Sequence, residues 1–152
     1  MSVKDAVENS LLERNKQLRI FILEDNEARI NQFTQMFSDH CRTIATSAKE
    51  GIGYLTTQEY DFLFLDHDLG DDHYRALAMG NIAVEGTGYE VAKTLVNTVN
   101  VKKPMVIHSW NVEAAKRMKN LLGDTALIFP FGCFDKTIID NVFEILRGRH
   151  VI

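Results

Sequence analysis

Three short apolar runs punctuate the chain: LRIFIL at 18–23, FLFL at 62–65 and PMVI at 104–107. Each is too short for a helix and gives way at once to polar residues, which is the pattern of a strand buried on both faces of a parallel sheet. ALIF at 126–129 and the weaker CRTIAT at 41–46 bring the set to five. Helical patterns lie between them. Asn26 is placed to cap a helix that carries Ile30, Phe33 and Phe37 on one face. Ser47 and Glu50 have capping-box spacing ahead of Ile52 and Leu55, in a short helix weakened by Gly51 and Gly53. Thr87 and Glu90 form a second box before Val91 and Leu95, and Asn111 precedes Ala114, Ala115, Met118 and Leu122. Asp135 is the expected cap of a last helix with Ile138, Val142 and Ile145 or Leu146 inward. The alternation predicts an α/β fold, a three-layer αβα sandwich around a five-stranded parallel sheet.

Two segments fall outside the alternation. Residues 1–17, with Val3, Val7 and Leu11 near helical spacing, read equally as an N-terminal helix or a loose arm, which leaves 18–152 as the domain proper. Residues 71–86, DDHYRALAMGNIAVEG, have no helical or strand period and the length of a lid or binding loop.

Composition narrows the class. A chain of 152 residues, 45% hydrophobic and 25% charged, suits a single globular domain with a sizeable core. Its net charge of -4 argues against a dedicated binder of duplex DNA, which needs a basic face, but not against a small phosphorylated ligand. Cys41 and Cys133 stand far apart in no metal-ligand spacing and are expected as reduced core residues. No apolar run approaches the roughly 18 residues of a membrane span, and MSVKDAVENS has no signal-peptide core, so the expected location is the cytoplasm, off the membrane.

The candidate chemistry sits where the strands end. In a parallel sheet the residues after each carboxyl end gather along one edge, the usual ligand site of open α/β folds. Here they are Glu24 and Asp25, then Asp66, His67 and Asp68, then His108 and Ser109. So many carboxylates together are costly unless a cation joins them or some are protonated. A divalent metal is the economical answer: carboxylates suit Mg²⁺, and imidazoles shift the preference toward Mn²⁺, Fe²⁺, Ni²⁺ or Zn²⁺.

The acidic pair Glu24-Asp25, Asp66 after the third strand and Ser109 after the fourth resemble, over most of 18–148, the receiver domain of two-component response regulators, which has a flavodoxin-like fold. Receivers also carry a lysine at the end of strand five; here Phe129 precedes Pro130 instead. DHDLG (66–70), TG (87–88), HSWN (108–111) and RM (117–118) resemble more narrowly the cyclic-phosphate-processing receiver family. That resemblance implies hydrolysis of a cyclic phosphate on a nucleotide or an RNA end, including a 2′,3′-cyclic end.

In that scheme Glu24, Asp25 and Asp66 are metal ligands, with His67 or His108 completing the shell. Asp68 or His108 serves as general acid or base. Ser109 and the amides following Asn111 contact phosphate oxygens, with Thr87 as a further substrate contact or simply a cap. Arg117, Lys116 and Arg75 are candidate phosphate clamps. Asp71, Asp72 and His73 read as a turn, and Trp110 as either a platform for a base or a packing residue. Asp-x-Asp after an apolar strand also resembles haloacid-dehalogenase phosphatases, in which Asp66 would be the nucleophile. Two other readings stay open: a signalling module phosphorylated on Asp66, and a cyclic-nucleotide binder that does not cleave its ligand.

Overall fold

A computed structural model describes residues 2–3, 16–69 and 86–152. The strands are β1 (Arg19–Leu23), β2 (Cys41–Ala45), β3 (Phe62–Leu65), β4 (Met105–Ile107) and β5 (Ala126–Ile128). They form one parallel sheet in the order β2-β1-β3-β4-β5. Among the described residues, five helices connect or follow them: α1 (Glu27–Met36), α2 (Ala48–Thr57), α3 (Gly88–Leu95), α4 (Val112–Leu122) and α5 (Ile138–Gly148). A 3₁₀ turn, Val99–Lys102, leads into β4.

Alternation along the strands divides the core into two layers. Phe21, Leu23, Leu63, Leu65, Met105 and Ile107 face α2, α3 and α4, meeting Leu55, Val91, Leu95, Met118 and Leu122. Ile20, Ile22, Phe62, Phe64 and Val106 face the opposite way, against Phe33 and Phe37 of α1 and Ile138, Val142 and Leu146 of α5. This second layer is aromatic: Phe33 stands 5.2 Å from Phe64 and 5.3 Å from Phe131, centroid to centroid. Both faces of the central strands are covered, which is why they read as unbroken apolar runs.

The helix starts largely follow their local signals. Asn26 accepts from the Arg29 amide, and Ser47 from the Glu50 amide. Glu50 completes its box on the Thr46 amide rather than on the cap residue. Two expectations need correction. Thr87 occupies the cap position of α3 without a side-chain capping bond, while Glu90 accepts from the Gly86 amide. Asp135 instead closes a turn by accepting from the Thr137 amide, and α5 begins only at Ile138.

The cysteines are also corrected: both are exposed. Cys41 opens β2, an edge strand of which only Ala45 is buried, and Cys133 lies in the turn before α5. Most of the 1–17 segment and the loop residues Asp71, Asp72, His73 and Arg75 lie outside the described residues. No helix among the described residues is long and apolar enough to cross a membrane.

Candidate active site

The site is a row across three strand ends. In the register, Ile22, Phe64 and Val106 are neighbours on the α1/α5 face of β1, β3 and β4. Two residues further along each strand stand Glu24, Asp66 and His108. The ladder still holds there: the amides of Asp66 and His108 donate to the carbonyls of Leu23 and Leu65 at 3.1 and 2.9 Å. Period-two alternation therefore carries these three polar side chains onto the face lined by the apolar residues before them. Their ligand atoms lie within 4.8 Å of one another, and all three residues are buried. The row crosses β1 and β3, where strand order reverses, the customary ligand site of this architecture.

Glu24 collects donors. Its Oε2 accepts from the amides of Asp25 and Asn26 at 3.0 and 3.2 Å, and its Oε1 from His108 Nε2 at 3.2 Å. Burial raises its carboxyl, but the His108 bond, the Asn26 amide and the Arg29 guanidinium together hold it below the ordinary value. Asp66 goes the other way. Burial, and then the negative charge of Glu24, push it up to about 8. The site thus pairs an ionised Glu24 with a protonated Asp66, two carboxyls driven apart by their surroundings.

Burial likewise holds the His108 imidazole below its ordinary value, against the opposing pull of Glu24. An ionised carboxylate can only accept, so Nε2 carries the proton and Nδ1 is the bare nitrogen. That Nδ1 is buried without a hydrogen-bond partner, and Phe33 packs edge-on to the ring at 5.1 Å. A metal-ligating imidazole normally gives its other N–H to an acceptor. Ligation through Nε2 would move the proton to Nδ1, where no acceptor stands, so Nε2 is fitted to hold Glu24 rather than a metal. The oxygens of Glu24 and Asp66 are the donors that fit a divalent cation, and hard oxygen ligands favour Mg²⁺ or Mn²⁺.

The remaining candidates fall around this row. Asp25 adjoins it, partly exposed, but its carboxylate is not in the converged group. His67 is also outside that group and is buried; its Nδ1 is hydrogen-bonded to Asp68 Oδ1 at 2.6 Å. The Asp68 side chain is 43% exposed, which makes it the carboxylate of the motif most open to solvent. Asn111 joins Asp68 to α4: its Oδ1 accepts from the Ala114 amide, and its Nδ2 reaches Asp68 Oδ1 at 3.4 Å. Ser109 is buried and accepts from the Asn111 amide. Trp110 is exposed between them.

Arg117 and Lys116 are exposed on α4 and form no ion pair with the site carboxylates. Among the described residues, the cation that does reach these carboxylates is Arg29, in the first turn of α1. Nothing local distinguishes it in sequence from a solvated helix arginine. Thr87 is fully buried, and its neighbour Gly88 explains the TG pair. The Gly88 amide donates to the His67 carbonyl at 2.8 Å, and a Cβ at that position would collide with the Asp66 carbonyl oxygen. Only glycine lets α3 abut the turn that presents Asp66 and His67.

Known structures share the fold. A CheY-like response regulator receiver domain from Methanospirillum hungatei JF-1 superposes with a TM-score of 0.64 at 16% identity, over 89% of this chain and 98% of that one. The receiver domain of the sensor histidine kinase PA1611 from Pseudomonas aeruginosa PAO1, with a magnesium ion coordinated in its active site cleft, gives 0.63 at 14% identity, over 88% and 99%. The HemR receiver domain from Leptospira biflexa gives 0.60 at 19%, over 86% and 94%. No curated protein matches the chain. The model of the cyclic-phosphate processing receiver domain matches residues 18–124, which include β1 through α4 and every polar group of the row. This chain therefore belongs to the cyclic-phosphate processing receiver domain family.

Proposed function

We propose that this protein is a metal-dependent phosphoric ester hydrolase that opens a cyclic phosphate on a nucleotide or an RNA end. The observation that carries the reading is the buried pair Glu24 and Asp66 at the strand-order reversal, with Asp68 solvent-facing beside them. Two carboxyls in a low-dielectric site contribute nothing to packing and raise the energy of the ligand-free fold, which is the mark of a functional cluster.

Glu24 and Asp66, with Asp25 adjoining, are the residues that would hold the cation. When bound, it supplies Lewis-acid stabilisation of the phosphoryl oxygens and acidifies water. His108 keeps Glu24 ionised and aimed by donating from Nε2. Asp68 handles the proton of the leaving alkoxide, because it reaches solvent while sharing a short hydrogen bond with His67. Asn111 fixes the Asp68 carboxylate from the start of α4. Phe129 and Pro130 follow β5 where response-regulator receivers carry a lysine, which disfavours stable phosphorylation of Asp66.

The test is a panel of 2′,3′- and 3′,5′-cyclic nucleotides, cyclic oligonucleotides and phosphomonoesters, incubated with Mg²⁺, Mn²⁺ or Ni²⁺. Ring opening of a cyclic substrate that is abolished in both Asp66→Asn and Asp68→Asn is expected. No Asp66-dependent turnover with any metal would remove the hydrolase reading. Tight binding with unchanged ligand on release would leave a non-catalytic binder, and a mass gain with acetyl phosphate that Asp66→Asn abolishes would leave a phosphorylated signalling domain.

A further inference from the structure

Arg29 Nη1 lies 3.6 Å from Glu24 Oε1 and 3.9 Å from Asp66 Oδ2. The guanidinium rests over the Phe131 ring, 5.3 Å from its centroid. Both carboxylate separations exceed a direct hydrogen bond, and the side chain is 32% exposed. The guanidinium is therefore held by the field of the ionised Glu24 and the face of an aromatic ring, with its N–H fork able to turn.

Those same two carboxylates are the ones fitted to a divalent cation. A dication between them would stand a few ångströms from the guanidinium, and like charges at that separation repel strongly in a partly buried site. A phosphoryl group brought in by the metal offers the displaced fork its best partner, since guanidinium matches phosphate oxygens two at a time. The end of β5 offers no cation, only Phe129 and Pro130, and the turn that follows supplies the ring beneath Arg29.

We propose that Arg29 is the phosphate-binding cation of this site: it rests between Glu24 and Asp66 in the ligand-free protein and turns onto phosphoryl oxygens once a divalent cation takes those carboxylates. The inference deepens the hydrolase reading and rests on it for the phosphoryl ligand.

The role makes two affinities move in opposite directions. In the full chain, Mn²⁺ is titrated alone by electron paramagnetic resonance, and inorganic phosphate is titrated calorimetrically at saturating Mg²⁺. Arg29→Met, which keeps the aliphatic stem but removes the competing charge, should bind Mn²⁺ about tenfold tighter and phosphate about tenfold more weakly, each the effect of one charge interaction. Both affinities falling together, or neither moving, would overturn the proposal. Arg29→Lys retains the charge over buried Glu24, and hence the fold, but loses the fork. It should bind phosphate several-fold more weakly with Mn²⁺ affinity unchanged, and unchanged phosphate affinity in this variant would overturn the proposal even if Arg29→Met fails to fold. Neither titration needs turnover. Opposed shifts without hydrolysis would sink the enzyme reading alone, and hydrolysis without opposed shifts would sink the Arg29 assignment alone.

Discussion

His108 Nε2 donates to Glu24 Oε1 at 3.2 Å, with both side chains fully buried at the ends of β4 and β1, the two strands that flank β3 in the sheet. A neutral imidazole and an ionised carboxylate are thereby joined below the surface, with the protonated Asp66 between their strands. The arrangement keeps a charge inside the fold by surrounding it with donors rather than by neutralising it.

Removing that donor should expose its weight. His108→Phe keeps an aromatic ring against Phe33 and Phe131 but takes the N–H from Glu24, leaving a buried carboxylate oxygen short of a partner. A loss of about 1–3 kcal/mol is expected, read as a lowered midpoint in urea at neutral pH with an unchanged slope. An unchanged midpoint would show that the bond carries no net stability.

Asp66 should behave in the opposite sense. The native state holds a proton up to about 8, whereas the unfolded carboxyl releases it near 3.8. Between those values the native state binds more protons, so the contribution of this group to stability falls as pH rises and levels off above about 8. Asp66→Asn removes the penalty. In the presence of EDTA its melting temperature should exceed that of the wild type by several degrees at pH 8, with the gap narrowing toward pH 4. A gap that widens on acidification would contradict a protonated Asp66.

Metal binding should report the same proton. A cation that takes Asp66 must release it below about 8. Calorimetric titration with Mg²⁺ or Mn²⁺ at pH 7 should therefore give heats that vary with the ionisation enthalpy of the buffer, and affinity should weaken as pH falls through neutrality. Buffer-independent heats would place the cation elsewhere.

The TG pair yields a mutation with a purely steric cause. Gly88→Ala forces a methyl onto the Asp66 carbonyl, so either α3 withdraws or the β3 end shifts. Destabilisation of about 1–3 kcal/mol is expected from such overpacking, together with weakened metal binding. Gly53→Ala, where a Cβ meets nothing within 4 Å in the middle of α2, is the control and should be neutral or slightly stabilising.

Much of this was legible beforehand. The runs LRIFIL, FLFL and PMVI located β1, β3 and β4 to within a residue, because strands covered on both faces admit no polar interruption. Their ends named Glu24, Asp66 and His108, and the DHDLG, TG and HSWN motifs pointed to the family whose model matches the chain. The grouping within that set was less visible. The motif offers Asp25, and either His67 or His108, as ligands alongside Glu24 and Asp66, and the side chain that converges with those two is His108, two positions beyond Val106 on the same face. Strand parity contains that information, but only once the register between strands is known. Cys41 and Cys133 are not core residues because residue type says nothing about whether a strand lies at the sheet edge, as for Cys41, or whether a residue falls in a surface turn, as for Cys133.

The sequence by itself determined the five-strand alternation, the edge at which the polar groups collect and which carboxylates gather there, since these follow from periodicity and from the common direction of parallel strands. Tertiary structure alone decided that Arg29 crosses to Glu24 and Asp66 on a bed of Phe131, that His108 holds Glu24, and that Gly88 must admit the Asp66 carbonyl. Each of these joins residues far apart in the chain or on separate elements, and their energies depend on distances that exist only after the layers have packed.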